Sequence, residues 1–293
     1  MEQLEASYEQ HTHLAALRTV AFAVALVFLL AFAALALPQQ QAQAATLTDG
    51  WEECGTCEWT ISDGTLTIRP LGDGSTGTLG TKFGWTSTKK QSSFTKVVIE
   101  SGVKTGASAK GMFKYCDKVT AISGIGELDV SKATNMKRMF YGCYKLKKLD
   151  LSGWSIAKVT SMSSMFAECK SLKKLNLAKW NTKKVWCMYN VFANCKSLTT
   201  LDISGWSTAK VSDLEWFYAM GTEYYSTPNM FLGCTGLRTV KVGAAFSFET
   251  TGSTLPTPVK GSKKGKWKSS SGVTYSSPSK IPSNKKATYK AVF

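Results

Sequence analysis

The chain repeats itself, and that limits its fold more than any other feature. The stretches RMFYGCYKLKKLDLSGW, SMFAECKSLKKLNLAKW and NVFANCKSLTTLDISGW are copies of one unit. Phe140, Phe166 and Phe192 stand 26 residues apart, as do Cys143, Cys169 and Cys195, and Trp154, Trp180 and Trp206. A degenerate copy precedes them at Met112, Phe113 and Cys116, and another follows at Met230, Phe231 and Cys234 after thirteen extra residues. A unit this short cannot bury its own apolar face. Successive copies must therefore lie on one another, and the repeat columns must become ladders of side chains.

Inside the unit the apolar spacing changes. Val159, Met162, Met165, Phe166 and Cys169 fall at intervals of three, three, one and three, which predicts one face of a short helix with Thr160 or Ser161 as its N-cap. Leu172, Leu175 and Leu177 then predict a short strand. The expected architecture is an α/β solenoid of about 26-residue repeats over residues 94–248. Its short parallel strands, about 4.8 Å apart, would line one side and its short helices the other. Residues 45–93 alternate around Asp63 and Gly64 and are expected to form a small N-terminal β cap. Residues 249–293, rich in Ser, Lys, Pro and Gly, are expected to form a C-terminal β cap or tail.

The pattern M-F-x-x-C-x-x-L-x-x-L-x-L-S-x-W resembles the BspA-like leucine-rich-repeat surface proteins of bacteria over about residues 94–243. The flanks FTKVVIESGV and LPTP…GKW…IPSNKKATYKAVF are similar to that group as well. The resemblance implies an exported binding or adhesion protein rather than a catalyst, and it names no ligand. The match departs at Leu128, where the pattern has Trp.

Val20 to Leu37 is a run of eighteen uncharged residues closed by Pro38, and Ala42, Gln43 and Ala44 form a small-x-small site. That is the order of a secretory signal occupying residues 1–44. The run also reaches the lower length of a membrane span, so an uncleaved anchor stays open. Either way, residues 45–293 are expected outside the cell, secreted or held at its surface. Both histidines, His11 and His13, precede the run. Cleavage would leave none, which excludes Ser-His-Asp and Cys-His catalysis and imidazole metal sites. No enzymatic activity, metal or cofactor is expected.

The formal net charge is +16, and removing one arginine and three glutamates with the leader raises it to +18. Part of that charge is patterned: Lys132, Lys158, Lys184 and Lys210 keep the 26-residue period. Packing does not explain a charged column, because neighbours about 5 Å apart in water repel by roughly 0.8 kcal/mol before screening. Lys148 and Lys174 add basic positions beside the strand. The functional reading is an electrostatic track for a polyanion, such as wall teichoic acid, a sulfated host glycan or an acidic protein. The alternative is a solvated, solubilising surface. Nucleic acid meets the same charge requirement, but no helix-turn-helix, zinc finger or RNA-stacking motif accompanies it, and it is not an expected partner.

Two further places are candidates. The thirteen-residue insertion offers Trp216, Tyr224 and Tyr225 off the repeat pattern, as planes for sugar rings, as anchors for a protein partner, or as loop packing. Lys263, Lys264 and Lys266 form a compact cluster that reads as an envelope anchor or as a solvated tail. The chain is expected to be a monomer.

Cys54 and Cys57 form one C-x-x-C without a second pair, a candidate local disulfide in an exported protein. The ladder cysteines are expected to be free, inert thiols in the core, and Cys187 stands outside the ladder. The Trp column reads as packing, with a sugar platform as the alternative. A structural envelope protein tethered by its basic tail is a second functional reading. A third is a carboxylate-dependent glycan hydrolase using Asp150 and Asp202, which hold equivalent strand positions two repeats apart. Their separation of about 10 Å exceeds the roughly 6.5–9.5 Å of an inverting pair.

Overall fold

The computed structural model describes residues 50–293 except 73, 213–228 and 252. The leader (1–44) and the insertion with Trp216, Tyr224 and Tyr225 lie outside the described residues.

The repeat unit is built from turns, not from a helix. The amides of Arg138, Phe140 and Gly142 donate across to the next unit, to the carbonyls of Ser163, Met165 and Ala167 at 3.0, 2.9 and 3.0 Å. The amides between them, Met139, Tyr141 and Cys143, donate three residues back, to Met136, Arg138 and Phe140, each at 3.2 Å. Alternate peptides thus bind the neighbouring unit and close tight turns. Ser164, Phe166 and Glu168 continue the pattern, donating to Tyr189, Val191 and Ala193. Such alternation needs left-handed residues: the first four units supply two each and the last supplies one. Gly111, Arg138, Ser164 and Asn190 form one column, and Tyr115, Gly142, Glu168, Asn194 and Gly233 the other, with φ between 53° and 74°. An α-helix has neither feature: its amides bond four residues back, and its residues are all right-handed.

The expected α/β solenoid is therefore corrected. Among the described residues there is no α-helix, only 3-10 turns at Gly84–Thr86 and Pro278–Lys280, and the strands fall into four separate sheets. The intervals of three, three, one and three misled because consecutive turns closed three residues back bring the same positions to one side as a helix would.

At the N-terminal end β1 (Glu52–Cys54), β2 (Cys57–Ser62) and β3 (Thr65–Pro70) form an antiparallel meander, and Asp63 and Gly64, both with positive φ, turn β2 into β3. β4 (Gly77–Leu79), β5 (Lys96–Ile99), β6 (Val103–Thr105) and β7 (Ala121–Ser123) follow; β5 pairs parallel with β3 and β7, and β6 parallel with β4. β8 (Lys174–Asn176), β9 (Thr200–Ile203) and β10 (Thr239–Val242) pair parallel, with Leu175, Leu201 and Val240 in register. β11 (Val259–Lys260) and β12 (Lys263–Lys264) make a small antiparallel pair. β13 (Lys266–Ser269) and β14 (Thr274–Tyr275) precede β15 (Ala287–Val292), which lies antiparallel between β10 and β13.

No strand forms over residues 147–151, between β7 and β8. The interval from Phe113 to Phe140 is 27 residues, one more than in later units. The longer connection turns at Gly124, where φ is 73° and a Cβ would sit 1.9 Å from the Ile99 carbonyl oxygen. That close approach admits glycine alone.

The units are held together in the core. The rings of Phe113, Phe140, Phe166 and Phe192 stack at 5.7 Å centroid spacing. Phe231 continues the stack at 6.0 Å from Phe192, despite the thirteen-residue insertion between them. Trp154, Trp180 and Trp206 stack beside them at 6.2 and 6.3 Å. Each such pair adds about 0.5–1.5 kcal/mol beyond the burial of its area. Each of these three indoles also donates to a buried carbonyl of the preceding unit: Trp154 to Ile125, Trp180 to Leu151 and Trp206 to Leu177.

Candidate functional site

The four periodic lysines occupy one structural position. Each is the third residue of a tight turn closed by an amide donating three residues back: Ala133 to Val130, Val159 to Ile156, Val185 to Thr182 and Val211 to Thr208, at 2.9–3.0 Å. The residue after each of the first three lysines, Ala133, Val159 or Val185, is buried and pins the turn to the core. The lysine before it is driven outward, and Lys132, Lys158, Lys184 and Lys210 are all exposed. None of the four makes an ion pair among the described residues. Amides just beyond the turns link successive units, Thr160 to Thr134 at 2.8 Å and Trp186 to Thr160 at 2.9 Å. The column therefore advances by one hydrogen-bonded spacing, about 5 Å per lysine.

The other lysines fall elsewhere. Lys174 is exposed in β8, in register with Thr200 and Thr239, and Lys148 is exposed in the stretch without a strand. Both belong to a different part of the unit from the lysine turns. Lys263 and Lys264 are displayed on the β11–β12 hairpin beside Lys260, and Lys266 starts β13.

Sequence reasoning missed a second basic surface. β15 returns between β10 and β13 and places Lys290 opposite Lys268 and Lys241 opposite Thr288. These residues, with Ser269 and Ser270, line a cleft of about 590 Å³. The Lys241 ammonium is 3.3 Å from an Asp202 oxygen, so one of the three lysines is partly neutralised. The alternation of Lys266 and Lys268 around buried Trp267 was the available signal; the pairing with Lys290 was not visible.

The carboxylates considered for hydrolysis serve the backbone. Asp150 Oδ1 accepts the Ser152 amide at 3.0 Å, and Asp202 Oδ1 accepts the Ser204 amide at 3.1 Å and its hydroxyl at 2.7 Å. Asp129 and Asn176 cap the equivalent turns at Ser131 and Ala178. The bonds from Ser152 hold Asp150 below the usual carboxylate range. Burial pushes Asp202 up, but hydrogen bonds from Ser204 and Lys241 outweigh it, and the net shift is downward. A glycosidase acid needs a carboxyl raised enough to carry its proton near neutral pH. Neither Asp is so placed.

Cys54 and Cys57 face each other across β1 and β2, both buried, both with free thiols. Burial raises both, Cys57 to about 12. Cys187 is half-buried and joins Ser108, Asn135 and Ser161 in a column of parallel bridges. Among the described residues, no three His, Cys, Asp or Glu side chains converge as a metal site.

Residues 107–231, less than half of the chain, match a family model described as "Mycoplasma protein of unknown function, DUF285". A comparison with curated proteins gives no match. Among solved structures the chain is similar to a leucine rich cell surface protein from Faecalibacterium prausnitzii A2-165, at 16% identity and a TM-score of 0.31. That match covers 78% of this chain and 61% of the other, so this chain spans about three fifths of that protein's solved length.

Proposed function

We propose that the chain is a secreted or cell-surface, non-catalytic recognition protein that binds an extracellular polyanionic glycan or wall polymer along its lysine column. The observation that carries this reading is the column itself: four exposed lysines at one turn position, none with an ion-pair partner among the described residues. Adjacent like charges repel and add nothing to packing, whereas a polymer with charges at similar spacing relieves that repulsion. The apolar leader supports export.

The test uses the full chain, immobilised and challenged with dextran sulfate, polyglycerol phosphate and neutral dextran. The expected result is retention of an anionic polymer that falls steeply as salt rises, no retention of neutral dextran, and loss of retention in Lys158→Ala/Lys184→Ala. Equal retention of neutral dextran, or wild-type retention by the double variant, would overturn the reading. The exposed lysines of the β11–β12 hairpin favour a second reading, a structural envelope protein tethered through its C-terminal region. Replacing Lys260, Lys263 and Lys264, all exposed on that hairpin, by Glu would then release the protein from the cell surface.

A further inference from the structure

Arg138 is the odd residue in its column. The equivalent left-handed positions hold Gly111, Ser164 and Asn190. Glycine adopts this backbone freely, and asparagine tolerates it through its short polar side chain. Arginine has no such advantage, yet it stands there at φ 56°. Its Nε is also buried without a hydrogen-bond partner, which is unfavourable for a charged donor. Ser164, Tyr115 and Glu168 share the left-handed backbone, but among them Arg138 alone is a cation and alone has an unmet buried donor.

Arg138 lines a cleft of about 690 Å³ with Lys82, Lys110 and Lys114, and among the described residues no carboxylate lines it. The 3-10 turn Gly84–Thr86 contributes Gly84 and Thr86 to the lining. It is fixed in place because the Trp85 indole donates to the Met112 carbonyl at 2.7 Å and packs edge-on against Trp59 at 5.4 Å. Two of the cations lie against an aromatic pair: the Lys114 ammonium is 4.8 Å from the Tyr115 ring and the Arg138 guanidinium 5.7 Å from the Tyr141 ring. The two tyrosines meet edge to face at 5.2 Å, and Tyr115 is 37% exposed. Four cations around a concave wall select a compact oxyanion, and a guanidinium fork matches its oxygens two at a time.

We propose that this cleft binds a single sulfate or phosphate ester group. It goes beyond the polyanion reading, because its occupant needs one charged group and no polymer.

The test is isothermal titration of the full chain with glucose 6-sulfate, glucose 6-phosphate and glucose at low ionic strength. At least one ester is expected to bind and glucose is not; the tighter ester identifies which oxyanion the cleft takes. Arg138→Ser places in the column the residue already found at Ser164, so the variant should fold, with an unchanged or higher urea midpoint. It should weaken ester binding at least about tenfold. Arg138→Lys, which keeps the charge and loses the fork, should fall between. The column variant Lys158→Ala/Lys184→Ala should bind the ester like wild type, so the cleft and the column can fail separately. Failure of both esters to bind, equal binding of glucose, or wild-type affinity in Arg138→Ser would overturn the proposal.

Discussion

The Cys169 thiol donates to the backbone carbonyl of Phe140 at 3.2 Å, one unit back along the stack. Cys143, Cys195 and Cys234 do the same to Phe113, Phe166 and Phe192 at 3.2, 3.0 and 2.9 Å. The Phe140 carbonyl also accepts the Cys143 amide at 3.2 Å, so both of its lone pairs are used. This explains why the column holds cysteine and not alanine: the position wants a small apolar body with one donor. Cys169→Ala removes the donor and leaves a void, and is expected to cost about 1–3 kcal/mol. Urea unfolding of the reduced protein measures it; a loss within experimental error would show that the thiol only fills space.

The same ladder predicts an alkaline limit to stability. Burial pushes Cys143 and Cys234 up from 9.0 to about 12, and Cys116, Cys169 and Cys195 well above 9.0. Folded thiols keep protons that unfolded ones lose, so stability is full below pH 9 and declines as pH rises from there toward the folded values. Each thiol contributes a slope of roughly 1.4 kcal/mol per pH unit in that window. The urea midpoint of the reduced protein should therefore be level through neutral pH and fall steeply above 9. Cys143→Ala should make that fall shallower. A pH-independent midpoint across the window would mean that the thiols are solvated.

Trp206 combines two roles that substitution separates. Its ring stacks on Trp180 at 6.3 Å and its indole donates to Leu177 at 3.1 Å. Trp206→Phe keeps an aromatic ring and deletes the donor, for an expected loss of about 1–2 kcal/mol. Trp206→Ala removes both, for about 3–5 kcal/mol. Equal losses in the two variants would assign all of the stabilisation to the hydrogen bond.

The ladders were legible in the sequence because a side chain locked to a fixed period must meet its own copies. Phe140, Cys143 and Trp154 show this directly. The backbone that carries them was not legible, because Met162, Met165, Phe166 and Cys169 are spaced alike on a helix and on consecutive turns. The clue lay in the columns beside them. The residue before each ladder cysteine is Tyr115, Gly142, Glu168, Asn194 or Gly233, and the residue five before the first four is Gly111, Arg138, Ser164 or Asn190. Glycine and asparagine recurring at two fixed offsets signal left-handed residues, which no helix interior contains. The lysine column was visible by its period. Arg138 was hidden for the opposite reason: it departs from its column, and only the fold brings it beside Lys82, Lys110 and Lys114. Lys241, Lys268 and Lys290 meet because β15 folds back on β10 and β13, a pairing that no local pattern encodes.

The lysine column should show opposite effects on folding and on binding. Lys184 sits on a turn whose closure depends on the Val185 amide and the Thr182 carbonyl, 2.9 Å apart, and not on the lysine side chain. Its neighbours in the column, Lys158 and Lys210, repel it across about 5 Å. Lys184→Ala relieves that repulsion and touches no buried contact, so it should leave stability within about 0.5 kcal/mol of wild type, on the stabilising side. The same change removes an inner member of the row and should weaken retention of an anionic polymer more than loss of Lys132 at its end, since an inner cation acts with two neighbours. Added salt should bring the variants together as screening lengths shrink below the column spacing. Urea unfolding and salt-gradient elution of the same proteins decide it. A destabilised Lys184→Ala would show that the lysine serves the turn, and equal retention by the two variants would show that the column does not act as a row.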